Sequence, residues 1–218
     1  MTDWYTDELF THPHSEIVKF GYSRLVCDVE RLLIDEPMEQ YGHGIAYTND
    51  SYGNPLRIVD RDEIIEKYYS PHHSKLTRTS NQLLSLFNTV VIVDCHSFSD
   101  EVLPHEQDTG KRPDFCLGID EFHTPPELVD SLKEYLTSLN FSVAIDDPFS
   151  GTIVPLINYQ KTENLKSIMI EINRKLYLNG IEKNDNFDYI QQVVSGLLDK
   201  IVEYEDLHES QTLNLDFI

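Results

Sequence analysis

His96 and Glu171 are the side chains whose surroundings most resemble a place for chemistry, because each interrupts an apolar run. Val90-Val91-Ile92-Val93 reads as a strand buried on both faces and gives way to Asp94-Cys95-His96-Ser97. In open α/β sheets ligands bind beyond the carboxyl ends of the strands, so an imidazole one step past this strand can hold a metal or a substrate; a histidine that only caps the sheet is the plainer reading of one residue taken alone. Glu171 sits within Ile168-Met169-Ile170-Glu171-Ile172. Burial disfavours an unpaired carboxylate, so Glu171 is either a general base or the outward residue of a period-two strand exposed to solvent. Asp28, Glu30 and Arg31 crowd another strand-like end, where the planar guanidinium fork suits a carboxylate, either on a ligand or in an internal ion pair. Arg112 lies near a further strand end, and Gly151, in D-D-P-F-S-G-T, permits close backbone approach to a ligand. His12-Pro13-His14 can chelate a metal or serve as polar loop residues; His72 and His73 stand where a helix N-terminus could meet an anion.

The elements that must position these groups follow from periodicity. Asp3–Phe10 reads as the tail of an amphipathic helix, Glu16–Val29 as two strand-like pieces, and the Gly-, Tyr- and Asn-rich stretch 32–55 as a long pocket-shaping loop. Helical spacing marks 60–69 and, after Pro71, about 72–87. Beyond the central strand, 99–114 has no regular period and leads into a short strand at 115–119. Pro125 and Pro126 open a helix over 127–139, closed by Asn140; strands follow at 141–145 and 168–172. A final helix spans about 187–204, with a polar tail from His208.

At 218 residues the chain is read as one domain, 1–218, of ordinary α/β size. A net charge of -21 argues against nucleic acid and anionic membrane surfaces as partners. Cys27, Cys95 and Cys116 are odd in number and lack C-x-x-C spacing, as expected of reduced thiols. No basic-then-apolar leader and no apolar window of membrane-spanning length are present, and the protein is expected in the cytoplasm.

Taken in order, S-R-L-V-C-D-V-E-R, Y-Y-S-P-H-H-S-K-L, V-D-C-H-S, R-P-D-F-C-L-G, F-S-G and I-E-I-N-R-K-L-Y-L resemble the N-formylglutamate amidohydrolase family, from Thr2 to about Leu178. The resemblance implies a mixed central sheet flanked by helices, zinc-carboxypeptidase-like, with one zinc ion at the strand ends. It implies His96 as a zinc ligand with Asp3, of T-D-W, as a second; Ser97 lining the site; and Glu171 as general base. D-V-E-R is similar to the family's D-L-N-R, which implies Arg31, helped by Arg24 of S-R-L and by Arg112, as the grip on the carboxylate of a small N-formyl or N-acyl amino acid. Glu30 stands where the family shows asparagine and sets a negative charge where an acidic substrate would lie. The family opens with an apolar strand ending in P-H-S-G or P-H-A-G, which carries a further histidine, whereas this sequence opens at Met1-Thr2-Asp3-Trp4. A fragment, a start placed too late, or a lost ligand is expected to explain it. Thr152 stands where another histidine is sought. The implied activity is hydrolysis of a linear amide; the alternatives are a catalytically impaired relative that binds rather than cleaves, and an amidase for another amide or peptide.

Overall fold

In a computed structural model the chain is described over residues 2–102 and 110–215, with side chains to 207; part of the loop read at 99–114 lies outside the described residues. Two compact units emerge, one built around Ile17–Thr79, the other from Asp3–Glu16, Ser80–Asp100 and the chain from Thr109 onward.

The second unit holds a central mixed sheet. Its strands are β1 (Val90–Phe98), β2 (Phe115–Gly118), β3 (Val143–Ile145) and β4 (Leu165–Asn173). They lie in the order β1-β4-β2-β3, with β1/β4 and β2/β3 parallel and β2/β4 antiparallel. Side chains alternate across a sheet, so Phe115, Leu117, Ile168, Ile170 and Ile172 share one face, and there they join Leu128, Leu132 and Leu136 of α4 (Pro126–Ser138). Ile190, Val193, Val194, Leu197 and Ile201 of α5 (Phe187–Leu215) complete that core. Burial of each such side chain is worth about 1.5–3 kcal/mol, which makes this face the main source of cohesion in the unit. Pro126 occupies the first turn of α4, where its missing N–H costs nothing, and Asn140 follows the helix at φ 67°. Leu83 and Leu84 pack with Val90, Ile92, Val154 and Leu165 in a separate cluster.

Several elements differ from their sequence readings. β1 does not stop at Val93: β4 pairs with it in register from Val90↔Leu165 to Phe98↔Asn173, so His96 lies inside the strand rather than one step past it. Asp3–Phe10 is not the tail of a helix; only α1 (Thr6–Leu9) is helical, and Tyr5 precedes it at φ 62°. The final helix continues beyond Tyr204 to Leu215, into the stretch read as a tail.

In the first unit, the two strand-like pieces of Glu16–Val29 form no strand. In the second piece Val26 and Cys27 donate to Ser23 O in a turn, at 2.7 and 3.3 Å, and Asp28 donates to the distant Ile45 O at 2.8 Å. Cys27, Val29, Ile45 and Tyr69 form a small core there. Pro71 does not separate two helices. α2 (Arg61–Ile64) passes through a π turn over Ile65–Tyr69 into α3 (Ser70–Leu84). A proline lacks the N–H of the α ladder and crowds the preceding turn, and the wider turn before it absorbs both defects.

The three cysteines are free. Burial, reinforced by Asp28, pushes the Cys27 thiol up to about 12, and burial pushes Cys116 up to about 11. Burial likewise raises Cys95. Thiols whose pKa rises on folding stabilise the native state fully below the unfolded value, about 8.5, and that contribution is lost as pH rises through about 11 and about 12. Labelling with a thiol reagent at pH 8 is therefore expected to be slow in the native protein and complete within minutes in denaturant. Fast native labelling of any cysteine would contradict this burial.

Candidate functional site

The register of β1 against β4 builds the site. His96 lies directly beside Glu171, and paired residues of neighbouring strands project to the same side of a sheet. Asp94 is two residues before His96 and so shares that face, as do Met169, Cys116 and Gly118 through their own pairings. The opposite face is the apolar core, so the polar groups are gathered where α4 and α5 are not. Glu171 is only 7% exposed, which removes the reading of a strand residue turned to solvent.

Asp94 and Asp3 flank the imidazole of His96. Asp94 Oδ1 lies 2.9 Å from Nε2, while Asp94 Oδ2 accepts from the Ile153 N–H at 2.9 Å. Asp3 Oδ1 lies 3.8 Å from Nδ1 and accepts from the Ser97 N–H at 2.9 Å. Arg174 reinforces this end of β1: its Nε donates to Ser97 Oγ at 3.0 Å and its Nη2 to Ser97 O at 2.6 Å. The buried Tyr177 hydroxyl donates to Trp4 O at 2.9 Å and so anchors the segment that carries Asp3. Asp3, His96 and Ser97 are thus brought together, with Glu171 on the neighbouring strand. Ser97 bonds to Asp3 and Arg174.

The loop after β3 closes over the same sheet. Asp146 Oδ1 accepts from Ile119 N–H at 3.0 Å and Gly151 N–H at 3.2 Å. Gly151 has φ 83°, and its carbonyl oxygen would sit 2.2 Å from a Cβ at position 118, so Gly118 is needed to admit it. Thr152 Oγ1 lies 2.6 Å from Ser167 Oγ. Arg112 is 4% exposed; it donates to Ser99 O at 2.9 Å, with the Phe98 and Phe149 rings at 5.8 and 5.9 Å.

Within the first unit, Arg24 and Arg31 converge on one buried carboxylate. Arg31 Nε donates to Asp28 Oδ2 at 3.0 Å, and Tyr47 Oη donates to the same oxygen at 2.9 Å. Arg24 Nε lies 3.4 Å from it, and Arg24 Nη2 reaches Glu30 Oε2 at 2.9 Å. Burial and then Asp28 push the Tyr47 hydroxyl up to about 12, which keeps it a donor. Burial pulls the Arg31 guanidinium down, but Asp28 and Tyr47 outweigh it and leave its pKa raised.

The remaining histidines have local tasks. His12 bonds to Asp199 Oδ1 through Nε2 at 3.1 Å and accepts the His14 N–H on Nδ1 at 3.3 Å, so the H-x-H pair presents no chelate. His72 and His73 lie beyond the π turn, past the helix start rather than at it. His73 donates from Nε2 to Val29 O at 2.7 Å, and burial lowers its pKa.

Sequence reasoning passed over Asp94, Arg174 and Tyr47. A signal existed for Asp94, since D-x-H on a strand places both side chains on one face; Arg174 and Tyr47 gave none, because their partners are distant in the chain.

Comparison with known proteins supplies a frame for this geometry. The model of the family FGase, N-formylglutamate amidohydrolase, matches residues 1–178. The crystal structure of N-formylglutamate amidohydrolase from Ralstonia eutropha JMP134 superposes with a TM-score of 0.68 at 26% identity, over 85% of this chain and 74% of that one. Gene product Atu2144 from Agrobacterium tumefaciens superposes with a TM-score of 0.57 at 20% identity, over 83% of this chain and 69% of that one, a likeness of fold alone. No curated protein matches the chain. Among the described residues, no helix is long and apolar enough to cross a membrane.

Proposed function

We propose, from the premise that this chain belongs to the N-formylglutamate amidohydrolase family, that it hydrolyses the linear amide of an N-formyl or N-acyl amino acid with the aid of one zinc ion. The observation that carries this reading is the pairing of His96 with Glu171 across β1 and β4. It sets a nitrogen ligand beside a buried carboxylate, as metal-assisted hydrolysis requires.

The chemistry of two donors supports the zinc reading. An imidazole nitrogen and a carboxylate oxygen, His96 Nδ1 and Asp3 Oδ1, face each other at 3.8 Å, and both are ordinary zinc ligands. His96 and Asp3 are the residues that would hold the ion. When bound, zinc lowers the pKa of water from about 15.7 toward roughly 7 and polarises a carbonyl. Glu171 takes the proton of the attacking water on a carboxylate oxygen and delivers it to the amide nitrogen as the C–N bond breaks, releasing the acid and the amine. Ser97 and Gly151 shape the site, and Arg31, Arg24 and Arg112 are assigned to the substrate carboxylate, whose fixed position lowers the barrier. The fold is read as zinc-carboxypeptidase-like, and the three free thiols suit a cytoplasmic setting.

A second reading concerns the substrate. Arg24 is paired with Glu30 at 2.9 Å and Arg31 with Asp28 at 3.0 Å, so the two cations of this cluster are balanced by two carboxylates. That balance favours an amide other than the dianion N-formylglutamate. Metal analysis of purified protein, with assays on N-formylglutamate, N-acetyl amino acids and small peptides, tests both readings. One zinc per chain and release of free amine are expected, and faster turnover of substrates with uncharged side chains supports the second reading. A protein that binds no zinc and cleaves none of them overturns the enzyme reading in favour of a binding relative.

A further inference from the structure

We propose that a cleft at the other end of the sheet from His96 and Glu171 binds a small zwitterion, a free α-amino acid with an uncharged side chain. The cleft has a volume of about 380 Å³ and lies where β1 and β4 begin and α4 starts; Glu121, Phe122, Glu127, Lys166 and Tyr204 are among its walls. Lys166 precedes Glu171 on the same strand by about 16 Å, at roughly 3.3 Å per residue, and alternation along the strand turns the two side chains to opposite faces. The cleft is therefore separate from the site proposed above.

Charge decides what fits there. Lys166 is half-buried and Glu121 and Glu127 are exposed, and among the described residues none of these three side chains makes an ion pair or a hydrogen bond. Lys175, Lys183 and Lys200, by contrast, each hold a carboxylate, at 2.9, 2.6 and 2.7 Å. A simple anion in the cleft would meet one cation against two carboxylates, and a simple cation would be opposed by Lys166. A molecule that carries both charges satisfies both ends. Its carboxylate pairs with Lys166, and its ammonium with Glu121 or Glu127.

The rest of the lining suits the same class. Tyr204 is 8% exposed; burial and then Glu127 raise the pKa of its hydroxyl, which stays protonated as a hydrogen-bond donor. Phe122, with Pro125 and Pro126, presents apolar surface to an aliphatic side chain. Such an amino acid is also the amine that the amide hydrolysis proposed above would release, and that link alone rests on the hydrolase reading.

The experiment is titration of the ¹⁵N-labelled full chain with L-leucine, with isocaproate, which lacks the ammonium, and with isoamylamine, which lacks the carboxylate. Saturable shifts centred on Phe122, Thr124 and Lys166 are expected, with a Kd for leucine below about 1 mM. Each analogue should bind about 10-fold more weakly or worse. Lys166→Met removes the cation and keeps the length of the side chain; it should weaken leucine by about 10-fold or more and isoamylamine not at all. Glu121→Gln combined with Glu127→Gln should weaken leucine likewise and spare isocaproate. No saturable shift at these residues, an amine that binds as tightly as leucine, or a folded Lys166→Met variant with wild-type affinity overturns the proposal. The analogue series on the wild type decides it even where a variant fails to fold. Titration needs neither zinc nor turnover, so a wild type that cleaves no amide sinks the hydrolase reading without touching the cleft.

Discussion

Replacing the proposed general base, Glu171→Gln, is expected to lower kcat/KM for the best amide substrate by about 10²–10⁴-fold, the usual worth of a positioned general base, and to leave zinc content at the wild-type level. Glutamine keeps the volume of a side chain that is 7% exposed, so the strand and its pairing with β1 are retained. What disappears is the oxygen able to take a proton. Zinc lost together with activity would show that Glu171 is a ligand rather than a base.

Gly118→Ala is expected to be the most damaging of the small substitutions near the site. A Cβ at this position would meet Gly151 O at 2.2 Å, Met169 Cε at 2.4 Å and Met169 Cβ at 3.0 Å. The methionine end can swing aside, but the Gly151 carbonyl belongs to a backbone segment tethered through its N–H to Asp146. Either the loop or β2 must move, at a cost of about 1–3 kcal/mol for an overpacked site. In a chain of this size that lowers the melting midpoint by roughly 2–4 °C per kcal/mol. Gly151→Ala is the matched control: it has φ 83° but open space around its Cβ, so it carries backbone strain without the clash. Thermal unfolding that placed Gly118→Ala within about 1 °C of the wild type would refute the close approach.

The regular elements were legible to different depths for physical reasons. β1 and β4 announced themselves because their β-branched and apolar runs suit buried strands. α4 and α5 did so because Leu128, Leu132 and Leu136, and Ile190, Val194 and Leu197, recur at helical spacing. Pro71 misled because its penalty is local, whereas the π turn that absorbs it is a response of the preceding residues. The pieces at 16–29 looked like strands because Ile17, Val18 and Tyr22 favour extended backbone, yet a strand also needs a partner, and in the second piece a turn claims the N–H groups of Val26 and Cys27. His96 and Glu171 could each be singled out from neighbours in the sequence. Their adjacency could not, since it depends on register between distant segments, and Asp3, Asp94 and Arg174 acquire their meaning only through it.

That register has a consequence for how the molecule comes into being. Within the described sheet β1 is an edge strand whose neighbour is β4, and Val90 finds Leu165 only after the intervening chain has looped back. Pairings so remote are closed late, since the entropy of the loop is lost before any reward arrives. On the ribosome, the imidazole of His96 therefore waits without its carboxylate companion until Asn173 has emerged. A nascent chain arrested short of that point holds the helix α4 and the histidine, but not the paired His96 and Glu171.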